Sequence, residues 1–100
     1  MSSMTALNAL PPITSDTSDN LQTRPVRYFV TAEIDPSALP RILENFALRN
    51  LVPTQLVAQR ENDFLEVSLT VSGLTVQEAS HLQLRLLNIL PVQNVDMDQL

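Results

Sequence analysis

Val26-Arg27-Tyr28-Phe29-Val30-Thr31-Ala32-Glu33-Ile34 runs through Asp35-Pro36-Ser37 into Ala38-Leu39-Pro40-Arg41-Ile42-Leu43-Glu44-Asn45-Phe46-Ala47, and its apolar period changes on the way. In the first part Val26, Tyr28, Val30, Ala32 and Ile34 alternate with Arg27, Phe29, Thr31 and Glu33. That period of two predicts a strand with one strongly apolar face. In the second part Leu39, Ile42, Leu43, Phe46 and Ala47 follow the i, i+3, i+4, i+7, i+8 spacing, and Arg41, Glu44, Asn45 and Arg49 take the other side. That spacing predicts an amphipathic helix. Asp35-Pro36 is the turn between them. Pro40 has no N–H and is tolerated only in the first helical turn, which selects Ser37 over Asp35 as the N-cap. Asn50 suits the left-handed conformation that closes a helix.

Working outward, Pro53 opens a second strand, Thr54 to Arg60, and Glu61-Asn62-Asp63 is a polar turn. Phe64 to Val71 is a third strand, with Leu65, Val67, Leu69 and Val71 inward and Glu66, Ser68 and Thr70 outward. So short a connection makes the two a hairpin. Ser72-Gly73-Leu74 leads to a second helix, where Thr75-Val76-Gln77-Glu78 fits a capping box. Ala79, Leu82, Leu86 and either Ile89 or Leu90 form its buried stripe, Pro91 ends it, and Val92 to Met97 is the last strand. The order βαββαβ, with right-handed crossovers, gives an α+β ferredoxin-like sandwich: a four-stranded antiparallel sheet with two helices on one face. Thr31, Glu33, Glu66, Ser68 and Thr70 make the other face wet or the seat of a polar partner.

Upstream, residues 1–24 read as a disordered tail, because Pro11 to Asn20 has no apolar period and many turn formers. Residues 25–100 form the folded domain. With 44% hydrophobic and 17% charged residues the balance is globular. A net charge of -5 repels phosphate backbones and excludes general nucleic-acid binding. There is no cysteine, so disulfides, thiolate metal sites and a cysteine nucleophile are excluded. Neither a signal peptide nor a membrane-spanning apolar run is present, which places the chain in the cytoplasm by default.

No residue set carries chemistry. His81 is the one histidine and has no neighbouring cluster, which reads as an ordinary surface residue. Glu33 and Glu66, like Asp96 and Asp98, read as solvated carboxylates. Ser37 lacks a nucleophile elbow, and Gly73 is the single glycine, so phosphate-cradling loops are absent. No metal site and no cofactor are expected. The remaining feature is the loop from Ile34 to Ala38, whose helix N–H groups could take a carboxylate while Asp35 takes an ammonium. The plainer reading is a capped helix start and a turn.

Ile34 to Leu43, then Phe46-Ala47-Leu48-Arg49-Asn50, resembles the first helix of an ACT domain. Leu65 to Val71 and Leu82 to Leu87 resemble its third strand and second helix. The closer resemblance is to the small regulatory subunits of acetolactate synthase (acetohydroxyacid synthase) of the short isozyme II type, over about residues 27–97. It implies a non-catalytic subunit that activates a thiamine-diphosphate-dependent large catalytic subunit of acetolactate synthase, in branched-chain amino acid biosynthesis. It also implies side-by-side homodimers with amino-acid effectors at the seam, touching Asp35, Ser37, Ala38, Leu39 and Val52. This chain departs from the effector-binding pattern: Ser37 and Ala38 stand where a glycine is usual, and Val52 where an asparagine is frequent. The departure fits the valine-insensitive isozyme II type.

Two functional readings stand ahead of a third, a weak enzyme, which would need a concave pocket lined by Asp35, Glu33 or His81. One is a regulatory subunit that works by docking, with Leu48, Leu51 and Val57 as interface candidates, being apolar where the pattern expects surface. The other is a free-standing homodimeric sensor of an amino acid or other small ligand.

Overall fold

The computed structural model describes residues 22–100. The elements are β1 (Thr23–Glu33), α1 (Ala38–Ala47), β2 (Gln55–Glu61), β3 (Phe64–Thr75), α2 (Val76–Leu87) and β4 (Val92–Gln99). They form one antiparallel sheet in the order β2-β3-β1-β4, with both helices on one face, the ferredoxin-like arrangement expected from the periodicity. β1 is flanked on both sides, by β3 and β4, and so places the most apolar strand face at the centre of the core.

Register explains the core. Tyr28 lies between Leu69 and Met97, and Val30 between Val67 and Val95, all on the face under the helices. α1 lowers Ala38, Ile42 and Phe46 onto this layer, and α2 adds Ala79, Leu82 and Leu86. The Tyr28 and Phe46 rings meet edge to face, centroids 5.8 Å apart at 76°, the arrangement that sets one ring's positive edge on the other's negative face. The Tyr28 hydroxyl donates to the Ala79 carbonyl at 2.6 Å and ties β1 to α2. The capping box is complete: Glu78 N–H donates to Thr75 Oγ1, and Thr75 N–H donates to Glu78 Oε1. Asn50 is left-handed as expected, at φ 58°.

Several boundaries differ from the sequence reading. Of the expected tail, residues 1–21 lie outside the described residues, whereas Thr23 and Arg24 already belong to β1. β3 does not stop at Val71 but runs to Thr75, pairing Thr75 with Thr23 and Leu74 with Arg24. The reason is Gly73, whose φ of 95° absorbs an irregularity in the ladder opposite Pro25, a residue with no N–H to offer. β2 is shifted by one residue from the expected Thr54–Arg60, and β4 extends two residues past Met97. Ile89, just past the end of α2, is half-buried against the core and continues its stripe, while Leu90 is 89% exposed. Thr70 points to the helix-free face as expected but is buried, because the Arg27 side chain folds over it and its Nε donates to Thr70 Oγ1.

Candidate functional site

The β1–α1 loop is built by Asp35. Its Oδ1 accepts the Ser37 backbone N–H at 2.8 Å and the Ser37 hydroxyl at 2.7 Å, and its carbonyl accepts the Ala38 N–H at 3.0 Å. Ser37 does precede the first helical residue, but its hydroxyl does not cap the helix. Two causes combine. Ser37 already has a helical backbone, φ −85° and ψ −8°, so its side chain does not face the helix N–H groups. The usual donor at the third helical position is missing, since that residue is Pro40. Asp35 therefore closes the loop as an Asx turn.

This geometry bears on the expected effector site. The Ser37 and Ala38 N–H groups, which would face a ligand carboxylate, already donate to Asp35. Leu39 is half-buried against the core. The Ser37 backbone N–H, and after it the Ser37 hydroxyl, hold the Asp35 carboxyl below the usual carboxylate range. A carboxyl with a lowered folded-state pKa contributes stability above its ordinary pKa, and that contribution disappears as pH falls through the lowered value. Asp35→Ala is accordingly expected to lower Tm by a few degrees near neutral pH, with the gap to the parent protein closing under acid. Differential scanning fluorimetry across a pH series checks this.

Val52, 84% exposed, lies on the segment leading into β2. Gln55, the first residue of β2, is level with Thr70 and Arg27. Glu33, the last residue of β1, follows Arg27 by six residues, roughly 20 Å at the rise of a strand, and Asp35 lies in the loop beyond it. A single chain thus keeps Asp35 and Val52 at opposite ends of the sheet. Of the interface candidates, Leu48 is 74% and Val57 47% exposed. Leu51 is not a free surface residue: it is half-buried and packs against the core.

Two features escaped the sequence reading. Every residue of β2 is exposed, including Leu56 on the helix side at 42% and Val57 on the open side at 47%. Neither helix covers this edge strand. The second feature is a groove of ≈ 520 Å³ between the end of α1 and the start of α2, lined by Arg49, Gly73, Gln77, Glu78, His81 and Arg85, among others. Gln77, His81 and Arg85 follow one another at i, i+4 spacing on α2, a signal that was present in the sequence. Among the described residues, no three His, Cys, Asp or Glu side chains gather where they could hold a metal ion. No helix there is long and apolar enough to cross a membrane.

A family model described as an ACT-like domain matches residues 18–100. Among solved structures, the ACT domain of a GTP pyrophosphokinase from Chlorobium tepidum is similar at a TM-score of 0.68 and 10% identity, over 77% of this chain and 100% of that one. The regulatory subunit of aspartate kinase from Thermus thermophilus is similar at a TM-score of 0.59 and 11% identity, over 77% of this chain and 53% of that one. A homoserine dehydrogenase from Thiobacillus denitrificans is similar at 0.67 and 11% identity, over 81% of this chain but 18% of that one. At these identities the likeness is one of fold. No curated protein sequence matches. The family match covers β1 to β4 without a break and the sheet order agrees with it, so the chain belongs to the ACT-like domain family.

Proposed function

We propose that this chain is a non-catalytic regulatory subunit, acting in the cytoplasm as a homodimer paired along β2. Its partner is the thiamine-diphosphate-dependent catalytic chain of an acetolactate synthase, which it activates in branched-chain amino acid biosynthesis. The observation that carries the reading is the bare β2 strand, which exposes one large apolar side chain on each face, Leu56 and Val57, and is open along its edge. An uncovered edge strand with exposed Leu56 and Val57 is a template for pairing with a second copy. Membership of a family of regulatory domains supports the non-catalytic role. The choice of partner rests on the resemblance, read from the residues alone, of residues 27–97 to the isozyme II type of small subunit.

The seam has a consequence for ligands. In a two-fold dimer the β2 strands run antiparallel, so the start of one lies beside the end of the other. The partner copy's Val52 then approaches the end of the sheet that carries Asp35, which a single chain cannot achieve. An amino-acid effector at Asp35, Ser37, Ala38 and Leu39 would need that second copy. The internal use of the Ser37 and Ala38 N–H groups by Asp35 favours a subunit that activates by docking over one that senses valine. The alternative, a free-standing homodimeric sensor, requires that those bonds give way to a ligand.

Three measurements test the proposal, and the last two separate it from the sensor. Sedimentation equilibrium is expected to give a dimer that Leu56→Lys converts to a monomer of unchanged circular dichroism. Addition of the protein to the purified large subunit of the host's acetolactate synthase is expected to raise acetolactate formation severalfold. A thermal-shift screen with the standard amino acids is expected to give no rise in Tm, whereas a sensor would show one. A monomeric parent protein, or a synthase indifferent to it, overturns the proposal.

A further inference from the structure

The helix-free face of the sheet has its own chemistry. Register places Val57, Ser68, Phe29 and Asp96 in one row across the four strands, and Gln59, Glu66, Thr31 and Asn94 in the next. Phe29 is 39% exposed and Val57 47%, and between them Ser68 is small. The result is a hollow of ≈ 280 Å³ with Phe29 and Val57 as walls and Glu66 at one end. Around it the face carries Glu33, Glu61, Asp96 and Asp98. Its one cation is Arg27, which donates to Thr70 and lies with its guanidinium carbon 5.9 Å from the Phe29 ring centroid. Glu33, Glu61 and Asp96 each accept a side-chain amide from Gln93, Gln59 and Asn94. No intrachain hydrogen-bond donor reaches Glu66 among the described residues.

An apolar slot that ends in an unengaged carboxylate matches one kind of side chain, a lysine or arginine. The aliphatic stem lies between Phe29 and Val57 while the charged head meets Glu66. The geometry points to this face as the docking surface for a basic, extended segment of another protein, with a lysine or arginine seated in the hollow. The inference rests on the regulatory reading above, since it assigns the surface that would meet the regulated chain. Charge decides among the occupants. A second copy laid face to face would set Glu33, Glu61, Glu66, Asp96 and Asp98 against the same carboxylates. Residues 1–21 carry Asp16 and Asp19 and no lysine or arginine, so they do not complement the face either. Pairing along β2 leaves the face uncovered, and the two surfaces can be occupied together.

The test is a titration of the ¹⁵N-labelled full chain, followed by NMR, with a short capped peptide of alternating lysine and valine and with its glutamate–valine counterpart. The basic peptide is expected to shift the amides of Phe29, Val57, Glu66 and Ser68 and to leave α1 and α2 unmoved. The acidic peptide is expected to shift nothing. Glu66→Gln, an exposed and nearly isosteric change, is expected to weaken the basic peptide about tenfold, and raised salt weakens it further. Shifts spread over the helices, equal binding by Glu66→Gln, or no binding overturns the proposal. Shifts at Phe29 and Asp96, on the strands away from the β2 seam, that depend on protein concentration without peptide would assign the face to a second copy, and also overturn it. None of these outcomes touches the sedimentation of the Leu56→Lys variant, so failure here is distinguishable from failure of the dimer.

Discussion

Phe46→Ala is expected to destabilise the domain by about 3–5 kcal/mol, the range for deleting a buried phenylalanine side chain. A domain of this length has roughly 4–12 kcal/mol in all, so the variant sits near or past its folding threshold. The size of the effect follows from how α1 is held. Its 10 residues are too few to be helical alone in water, so packing must fix it. The buried residues Ala38, Ile42 and Phe46 supply that packing, and Phe46 is the largest of them. Its ring also meets Tyr28 edge to face, a contact worth about 0.5–1.5 kcal/mol beyond area. Urea unfolding followed by circular dichroism measures the loss. Leu48→Ala, two residues on but 74% exposed, is expected to stay within about 0.5 kcal/mol of the parent. Equal losses from the two would mean that α1 does not pack on Tyr28 as described.

The contrast between Phe46 and Leu48 was legible in the sequence, since the helical period puts one inward and the other outward. The same holds for the alternation in β1 and β3, because one face of each is buried and register then fixes every side chain. Capping was only half legible. Thr75 and Glu78 stand at the spacing that lets each reach the other's backbone, and they do. Ser37 occupies the corresponding place before α1, yet Pro40 removes the donor it would need, and Asp35 takes over. The residue two places upstream mattered more than the one at the cap. The extension of β3 through Gly73 was hidden because a glycine reads as a break, while here its positive φ lets the ladder continue. Leu51 packs inward although nothing in its loop signals it, because a short loop has no period to show which residue folds back on the core. The candidate effector set rests on resemblance, which carries no length scale. The sheet sets Asp35 and Val52 at opposite ends of one chain. The uncovered β2 escaped for a related reason, as a strand's own pattern does not say whether a helix reaches over it.

Stability is expected to fall by about 1.4 kcal/mol for each pH unit above pH 10, and Tyr28→Phe is expected to abolish that slope. Tyr28 is fully buried, and its hydroxyl donates to the Ala79 carbonyl. Burial raises its pKa well above the ordinary 10.0, and the opposing pull of the nearby Arg49 charge does not offset this. The sign follows from which state holds the proton. The unfolded chain loses it near pH 10 and the folded chain only at much higher pH, so the stabilising difference is whole below pH 10. It is lost as pH climbs from there toward the folded value. By two units above the ordinary value the loss reaches about 2.7 kcal/mol, a large part of a small domain's total. This composition isolates the effect. Tyr28 is the one tyrosine, there is no cysteine, and all six cations of the sequence are arginines, which stay charged throughout this range. The terminal amine has already titrated near pH 8. Urea midpoints across an alkaline series give the slope, and near-ultraviolet phenolate absorbance shows when the proton leaves. The two should move together, since a phenolate formed inside the core would face the Ala79 oxygen with no hydrogen between them. A phenolate that appears near pH 10 without loss of helix would place Tyr28 in water. It would also detach α2 from β1, which the packing of Leu82 and Leu86 onto the sheet does not permit.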